Sequence, residues 1–360
     1  MRIDPSSRVI LVRHGRSSFN DQGRYQGSSD EAILTQKGIE TARQVGEYLC
    51  HSTIDAVYTS PLLRAKQTTE EILKAMVDQR PKPITVSHEL REIDLSVWEG
   101  LTYDHVRQHH RDSYECWQQQ PHKFKLPVEN SYHFPVKDLY QRAEKFWSYS
   151  LPHYAGKTML VVSHGGTNHA LISTALGLSP EYHHSLQQSN CGISVLEFSD
   201  TDTQLIELNQ TTSIQEVLPK LKAGKTGLRL LLLPEETLSH TLCVQLAHRL
   251  VDVTLDFCLA AIAGQQWMPT LLQQHPKTAQ FGAEKADFLE SWKQILVESI
   301  EPEGLMTGLA IAPTHSIQTL LLQTLGGHQH KNAKITIKPG HLSVVHYPHN
   351  HRPVIQAINI

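Results

Sequence analysis

The sequence has no apolar run long enough to cross a membrane. Runs such as Leu230–Leu233 hold only four residues, whereas a membrane-spanning helix needs about 20. The stretch Met1–Ser7 is short and polar, and a strand-like apolar run follows it at once, which is not the pattern of a signal peptide. We therefore expect no membrane partner.

Cysteine is also scarce. The five cysteines are odd in number and widely scattered, and no two of them form a CxxC pair. This pattern is typical of reduced thiols rather than of a disulfide framework or a thiolate metal site. The sequence therefore predicts a cytoplasmic protein.

An excess of charge of either sign is missing too. The 33 Lys and Arg residues nearly balance the 36 Asp and Glu residues, so the formal net charge is -3. Nucleic-acid-binding proteins usually carry a basic surplus, and we expect no nucleic-acid partner. Histidine is abundant, with a group at His346, His349 and His351. Because no cysteine or carboxylate cluster accompanies that group, we expect no metal and no other cofactor.

Strand-like and helix-like segments alternate through the first half of the chain. The candidate strands are 9–12, 56–58, 159–162, 193–198 and 205–208, and the candidate helices are 35–49, 60–75 and 166–176. We expect the last two strands to form an edge pair. The alternation predicts a three-layer α/β/α sandwich with a mostly parallel sheet.

Two further segments break this alternation. Residues 104–137 are rich in Gln, His, Pro and aromatic residues and show little strand pattern, which predicts an inserted helical lid over the carboxyl edge of the sheet. Residues 215–227 contain Pro219 and Gly224 and are interpreted as a linker. The predicted organisation is a catalytic domain at 1–214, this linker, and a second domain at 228–360.

The second domain repeats the first faintly. A constant shift of 149 positions relates 158–178 to 307–327 without a gap, and the same shift relates 193–196 to 342–345. Agreement across strand, turn and helix in the same order indicates a duplication. A truncated copy exposes sheet edges unless it packs on something, so we expect it to support the first domain or a homodimer.

Four segments of the first half carry reactive side chains. They are Leu11–Asn20, Ser60–Thr69, Leu90–Gly100 and Val161–Ala170. Two of them place a histidine directly after an apolar strand, and the carboxyl ends of neighbouring parallel strands meet at one edge of a sheet. We expect His14 and His164 to lie together at that edge, with Arg64 reaching it from a helix start.

Such a group of residues can transfer a phosphoryl group. Arg13 and Arg64 can each bind phosphoryl oxygens through a planar fork, and a protonated His164 would add a third donor. A neutral His14 is the good nucleophile of the set and would form a phosphohistidine. Glu92 is the candidate for donating a proton to the leaving group and for activating water afterwards. His169 is interpreted as a helix residue that could face the pocket, and His183 and His184 as loop residues, with structural roles favoured for all three.

The four segments resemble those of the histidine phosphatase superfamily, the phosphoglycerate mutase-like proteins, over residues 8 to about 212. The resemblance implies that His14 is the nucleophile, that Glu92 is the acid and base, and that the phosphate pocket is completed by Arg13, Arg64 and His164. It further implies substrate contacts at Asn20, Gly27, Ser28 and Gly165. Arg16 stands where the family usually has Glu, and it would add positive potential beside the pocket.

The second copy lacks this chemistry. We expect Pro234 to stand where His14 stands, and Pro313 where His164 stands. Neither residue has an imidazole, so the copy is predicted to be degenerate and non-catalytic.

The segment after Glu92 favours the phosphatase branch of the family, because the Arg-His-Tyr-Gly run typical of mutases is absent from it. The expected function is metal-independent hydrolysis of a small phosphorylated metabolite, with phosphoserine as the first candidate. The alternatives are mutase-type phosphoryl transfer and a non-enzymatic phospholigand sensor or scaffold.

Overall fold

Two β-sheets, one in each half of the chain, organise the molecule. The computed structural model describes residues 6–76, 83–200, 202–236, 238–283, 288–298, 304–326, 333–349 and 351–360. Within these ranges no helix combines the length and the apolar character needed to cross a membrane.

The described part of the first half contains eight strands and seven α-helices. The strands are β1 (Ser7–Arg13), β2 (Ala56–Thr59), β3 (Ile84–Val86), β4 (Leu126–Val128), β5 (Ser131–His133), β6 (Thr158–Ser163), β7 (Ile193–Phe198) and β8 (Thr203–Gln210). The helices are α1 (Ser18–Asp21), α2 (Gln36–Leu49), α3 (Leu63–Ala75), α4 (Tyr103–His109), α5 (Arg111–Gln119), α6 (Pro135–His153) and α7 (Gly165–Ala175).

The described part of the second half adds seven strands and four α-helices. The strands are β9 (Gly227–Pro234), β10 (Phe257–Ala260), β11 (Ala279–Gly282), β12 (Leu305–Ala312), β13 (Ala333–Ile335), β14 (Ser343–Tyr347) and β15 (Val354–Ala357). The helices are α8 (His240–Arg249), α9 (Met268–Leu271), α10 (Phe288–Glu298) and α11 (Thr314–Thr324).

The first sheet has the strand order β13-β8-β7-β1-β6-β2-β3. Strands β1, β6, β2 and β3 run parallel, whereas β7 is antiparallel to both β1 and β8. The expectation of an edge pair at β7 and β8 is wrong. Strand β7 lies between β1 and β8, and β8 pairs in turn with β13 from the second half.

Alternate residues of β1 point to opposite faces of this sheet, as in any strand. Val9 and Leu11 belong to the core that includes α6 and α7, whereas Ile10 and Val12 belong to the core that includes α2 and α3. The sheet is therefore covered on both faces, and the predicted three-layer sandwich is confirmed.

The second sheet repeats the topology of the first. Its order is β11-β10-β12-β9-β14-β15, which matches β3-β2-β6-β1-β7-β8 strand for strand, including the antiparallel pairing of β14 with β9. Helix α11 also matches α7 at the shift of 149 residues. The predicted degenerate second copy of the fold is confirmed.

The hydrogen bonds of this second sheet correct the predicted alignment by one residue. The amide of His14 donates to the carbonyl of Ser163 (2.8 Å), and the amide of Glu235 donates to the carbonyl of Ala312 (3.1 Å). Glu235 therefore stands where His14 stands, and Pro234 stands where Arg13 stands. Pro313 does occupy the position of His164, directly before its helix.

The two sheets meet edge to edge. Leu208 of β8 and Ile358, just after β15, exchange backbone hydrogen bonds of 3.1 and 3.0 Å. Asn209 Nδ2 donates to the carbonyl of Gln356 and Asn359 Nδ2 to that of Ile206, both at 2.7 Å. Both asparagines have a positive φ, of 52° and 58°. The junction is thus close to two-fold symmetric.

The segment predicted as a helical lid contains more than helices. Helices α4 and α5 are followed by the hairpin β4–β5, which the polar composition of this stretch did not indicate. Trp117 of α5 and Phe124 pack with Trp98 in a buried aromatic group. The lid is therefore fixed to the segment that follows Glu92.

The junction gives a stability prediction at Asn209. Its Oδ1 accepts a hydrogen bond from the Ser189 amide at 2.6 Å, so Asn209→Ala leaves that amide and the Gln356 carbonyl without this partner and places alanine at positive φ. We expect a loss of about 3 kcal/mol in the free energy of unfolding, measured with urea. Asn209→Gly is the control, because glycine tolerates this backbone and should be less damaging by about 1 kcal/mol. Wild-type stability in the alanine variant would contradict this account.

Candidate active site

A cavity of about 340 Å³ opens at the carboxyl ends of β1 and β6. It brings together most of the side chains that the four sequence segments contribute. The predicted site residues that line it are Arg13, His14, Gly27, Arg64, Glu92 and Gly165. The volume falls within the usual range for small-molecule pockets.

His14 follows the last residue of β1 and is almost fully buried. Its Nδ1 lies 2.8 Å from the carbonyl of Gly15. Because a carbonyl can only accept, Nδ1 carries the proton and Nε2 keeps its lone pair. Burial, followed by the charges of Arg64 and Arg13, holds the pKa of His14 well below its ordinary value. The imidazole is therefore neutral and nucleophilic at neutral pH.

His164 lies beside His14, with ring centroids 5.2 Å apart. Its Nε2 is 2.6 Å from the hydroxyl of Ser60, which fixes the ring at the start of α7. Burial, followed by the charge of Arg64, lowers the pKa of His164 well below its ordinary value. The protonated donor considered from the sequence is thus not favoured until an anion offsets these charges.

The two arginines are held by backbone carbonyls. Arg64 is fully buried, and its Nη1 and Nη2 donate to the carbonyls of Ser29 (2.8 Å) and Gly27 (2.9 Å). Arg13 Nη1 donates to the carbonyl of Gln188 at 2.8 Å. The Nε atom of each arginine is buried and has no hydrogen-bond partner among the described residues. Both guanidinium groups therefore keep donor capacity for a ligand.

Glu92 sits at the amino terminus of α7. Its carboxylate accepts from the amides of Gly166 (3.2 Å) and Thr167 (3.1 Å). A Cβ on residue 166 would lie 2.7 Å from Glu92 Oε1, so this approach requires glycine. The start of α7, where a helix favours negative charge, thus positions the candidate acid and base.

Two other predicted contacts lie elsewhere. The amide of Ser28 donates to Glu99 Oε1 at 2.5 Å, its hydroxyl donates to the same oxygen, and Ser28 does not line the cavity. Asn20 lines a second, adjoining cavity with Arg16, and Asn190 donates to its Oδ1 at 3.0 Å. Arg16 is ion-paired with Asp21, which offsets part of its charge.

Several lining residues were not singled out from the sequence as site residues. Two of them are Tyr103, at the start of α4, and Trp117 of the lid. The others include His169 on α7, His183, His184 and Gln188 after α7, Lys222 in the predicted linker, and His351 near the carboxyl terminus. The three histidines interpreted as structural therefore line the cavity, and part of its wall comes from beyond residue 214.

The cavity carries an excess of positive charge. Its lining includes Arg13, Arg64 and Lys222 but only one carboxylate, that of Glu92. None of these three cations forms an ion pair among the salt bridges of the described residues. In the described ranges, no group of three or more His, Cys, Asp or Glu residues is placed to hold a metal ion. The arrangement suits an anionic ligand bound by arginine and positioned against a histidine.

Comparison with known proteins agrees with this geometry. The model of the histidine phosphatase superfamily, branch 1, matches residues 9–211. The "Probable 2-carboxy-D-arabinitol-1-phosphatase" of Arabidopsis thaliana is 40% identical over 196 residues, which is 54% of this chain and 39% of that protein. The chain thus spans about two fifths of the length of this relative.

Two shorter proteins match over nearly their whole length. The "Putative phosphoserine phosphatase 2" of Hydrogenobacter thermophilus is 29% identical over 204 residues, covering 56% of this chain and 95% of that protein. The solved structure of Bacillus stearothermophilus YhfR has 28% sequence identity and a TM-score of 0.50, and it covers 55% of this chain and 95% of its own. The family resemblance inferred from the four segments is confirmed.

The buried histidines predict a loss of stability in acid. The pKa values of His14, His164 and His183 are all lowered, chiefly by burial. The unfolded chain therefore takes up protons first as the pH falls below about 6.5, which destabilises the fold by up to about 1.4 kcal/mol per pH unit for each histidine that stays neutral. Urea unfolding at pH 7.5 and 5.5 measures the effect.

A pair of variants assigns this pH dependence. His183→Phe keeps an aromatic ring but removes a titrating group, so the stability difference between the two pH values should shrink. The exposed His153 should not contribute, and His153→Phe should leave the difference unchanged. Identical pH dependence in both variants would show that the buried ring is not responsible.

Proposed function

The chain belongs to the histidine phosphatase superfamily, branch 1, and we propose that it hydrolyses a small phosphorylated metabolite through a phosphohistidine on His14. The observation that carries this proposal is the neutral His14, whose Nε2 is free to attack while Arg13 and Arg64 line the same cavity. Residues 1–214 would supply the reacting groups, and residues 228–360 would form a non-catalytic unit.

The proposed reaction has two steps. In the first, His14 Nε2 bonds to phosphorus, the ester bond from phosphorus to oxygen breaks, and the protonated carboxyl of Glu92 gives its proton to the leaving oxygen. In the second, water gives a proton to the Glu92 carboxylate and its oxygen bonds to phosphorus. The phosphorus–nitrogen bond then breaks, which returns the electron pair to His14 and releases phosphate. No metal ion is needed, because arginine donors bind the phosphoryl oxygens.

Hydrolysis is favoured over mutase-type transfer by the lining of the cavity. A mutase must bind the second phosphate of its substrate and shield the phosphoenzyme from water. The cationic residues of the lid are Arg107, Arg111, Lys123, Lys125 and Lys137, and none of them lines the catalytic cavity. The lid therefore offers little positive charge for a second phosphate.

The candidate substrates share a second anionic group. Phosphoserine is the first candidate from the sequence, and a relative at 29% identity is named a phosphoserine phosphatase. The relative at 40% identity is named for 2-carboxy-D-arabinitol 1-phosphate. Both compounds are phosphate monoesters that carry a carboxylate. We propose a carboxylate-bearing phosphate monoester as the substrate class.

Replacing His14 tests covalent catalysis. His14→Ala should abolish phosphate release from phosphoserine and from an aryl phosphate, because it removes the nitrogen that would accept the phosphoryl group. The exposed His51 provides the control variant His51→Ala, which should keep full activity. Dialysis against EDTA should leave wild-type activity unchanged. Retained activity in His14→Ala would contradict covalent catalysis at His14. Activity that EDTA removes and Mg²⁺ restores would contradict metal independence.

The role of Glu92 is tested with two kinds of ester. Glu92→Gln should lower kcat about 100-fold or more for an alkyl phosphate, whose leaving oxygen needs a proton. An aryl phosphate with a good leaving group should lose much less in its first step, which a burst measurement isolates. Equal losses in this step would mean that Glu92 acts by positioning α7 rather than by proton transfer.

A further inference from the structure

One cation of the catalytic cavity comes from outside the family domain. Lys222 lies in the segment that joins the two halves, beyond the matched residues 9–211. Its side chain lines three cavities: the catalytic cavity, the adjoining cavity that contains Asn20, and another that is lined by Arg107 and Arg111. The accessible surface of Lys222 therefore faces these cavities, where a ligand can reach it.

The segment around Lys222 is anchored on both sides. Gln187 Nε2 donates to the carbonyl of Lys220 at 2.9 Å, and Lys220 forms an ion pair of 2.9 Å with Glu216. Arg229 of β9 donates to the carbonyl of Pro219. These contacts tie the segment to the first domain and to the first strand of the second sheet, so the position of Lys222 is set by the fold.

Lys222 and Arg13 share one acceptor. The ammonium group of Lys222 and Nη1 of Arg13 both donate to the carbonyl of Gln188. Two cations on one neutral oxygen repel each other, and the salt bridges of the described residues include none with Lys222. An anion placed between the cations would relieve this repulsion.

The part of the catalytic cavity wall that extends from His14 past Lys222 is formed largely by histidines. His169, His183 and His184 all have lowered pKa values, chiefly because of burial, and are neutral. The charge of Lys222 contributes to lowering the pKa of both His14 and His169, which places it within electrostatic reach of the two. A ligand extending from His14 toward His169 therefore meets one further cation, that of Lys222.

We propose that Lys222 binds the carboxylate of the substrate, while Arg13 and Arg64 bind its phosphoryl group. A single ammonium is a point donor and matches one carboxylate, whereas a second phosphate would call for several donors. This inference rests on the proposed phosphatase activity and names the determinant of its substrate class. The joining segment thereby completes a site that the family domain alone leaves open.

A matched pair of substrates tests the assignment. Phosphoserine and phosphoethanolamine have the same ester and ammonium groups and differ by one carboxylate. We expect kcat/KM for phosphoserine to fall about tenfold or more in Lys222→Met, the loss typical of one charge-assisted hydrogen bond, mainly through a higher KM. The value for phosphoethanolamine should change little. Lys225→Met is the control, because Lys225 is exposed in the same segment and lines none of the three cavities.

The outcomes separate this proposal from the proposed function. Equal losses on both substrates, or no loss on phosphoserine, would overturn the role of Lys222 while leaving phosphatase activity in place. A wild-type preference for fructose 1,6-bisphosphate that Lys222→Met removes would also overturn the assignment to a carboxylate.

Binding measurements test Lys222 without turnover. In the His14→Ala background, calorimetry should show phosphoserine binding about tenfold or more tightly than phosphoethanolamine. Adding Lys222→Met should remove that difference. If wild-type protein hydrolyses no phosphate ester, the proposed function fails, and this affinity ratio still decides the inference. A ratio that Lys222→Met leaves unchanged would overturn it.

Discussion

The pairing of Leu208 with Ile358 joins the two sheets at their edges, and much of the molecule depends on this contact. Ile358 pairs with the carboxyl-terminal part of the outer edge of β8, and β13 pairs with the amino-terminal part of the same edge. Unpaired strand edges attract other chains, so the second copy protects the first. The contact also determines where the joining segment and the carboxyl terminus run, which is along the wall of the catalytic cavity.

The second constraint is the burial of positive charge. Arg13 and Arg64 donate hydrogen bonds to carbonyl oxygens rather than to carboxylates, and these neutral acceptors carry no opposing charge. Burial, and after it the charge of the two arginines, keeps His14 neutral, which is the state that a histidine nucleophile requires. The same charge attracts a phosphate dianion, so one arrangement supports both binding and reactivity. Glu92 is held at the start of α7 by its hydrogen bonds, and it lies near enough to both arginines for its charge to interact with theirs.

Much of this site could be predicted from sequence because its key side chains follow strands. His14 and His164 end adjacent parallel strands, so strand order alone brings them together. The one-residue error at Pro234 arose because the apolar run of β9 carries no side chain that fixes its register, which only the hydrogen bonds define. Lys222 could not be found this way, since it reaches the cavity only through contacts between the two halves. Ser28 does not line the cavity, and nothing in the sequence indicated its pairing with Glu99.

The second copy shows which features of this fold serve structure and which serve chemistry. In both copies an aspartate precedes the second parallel strand and accepts from a threonine amide, Asp55 from Thr158 and Asp256 from Thr307. That contact maintains the sheet, and it is present twice. The positions of Arg13, His14 and His164 hold Pro234, Glu235 and Pro313 instead, so the second copy has neither the anion donor nor the nucleophile. The second copy contributes His351 and Val354 to the lining of the cavity, and the joining segment contributes Ala223. The second copy thus keeps the sheet of the fold without these three side chains, and it forms part of the wall of the cavity in the first half.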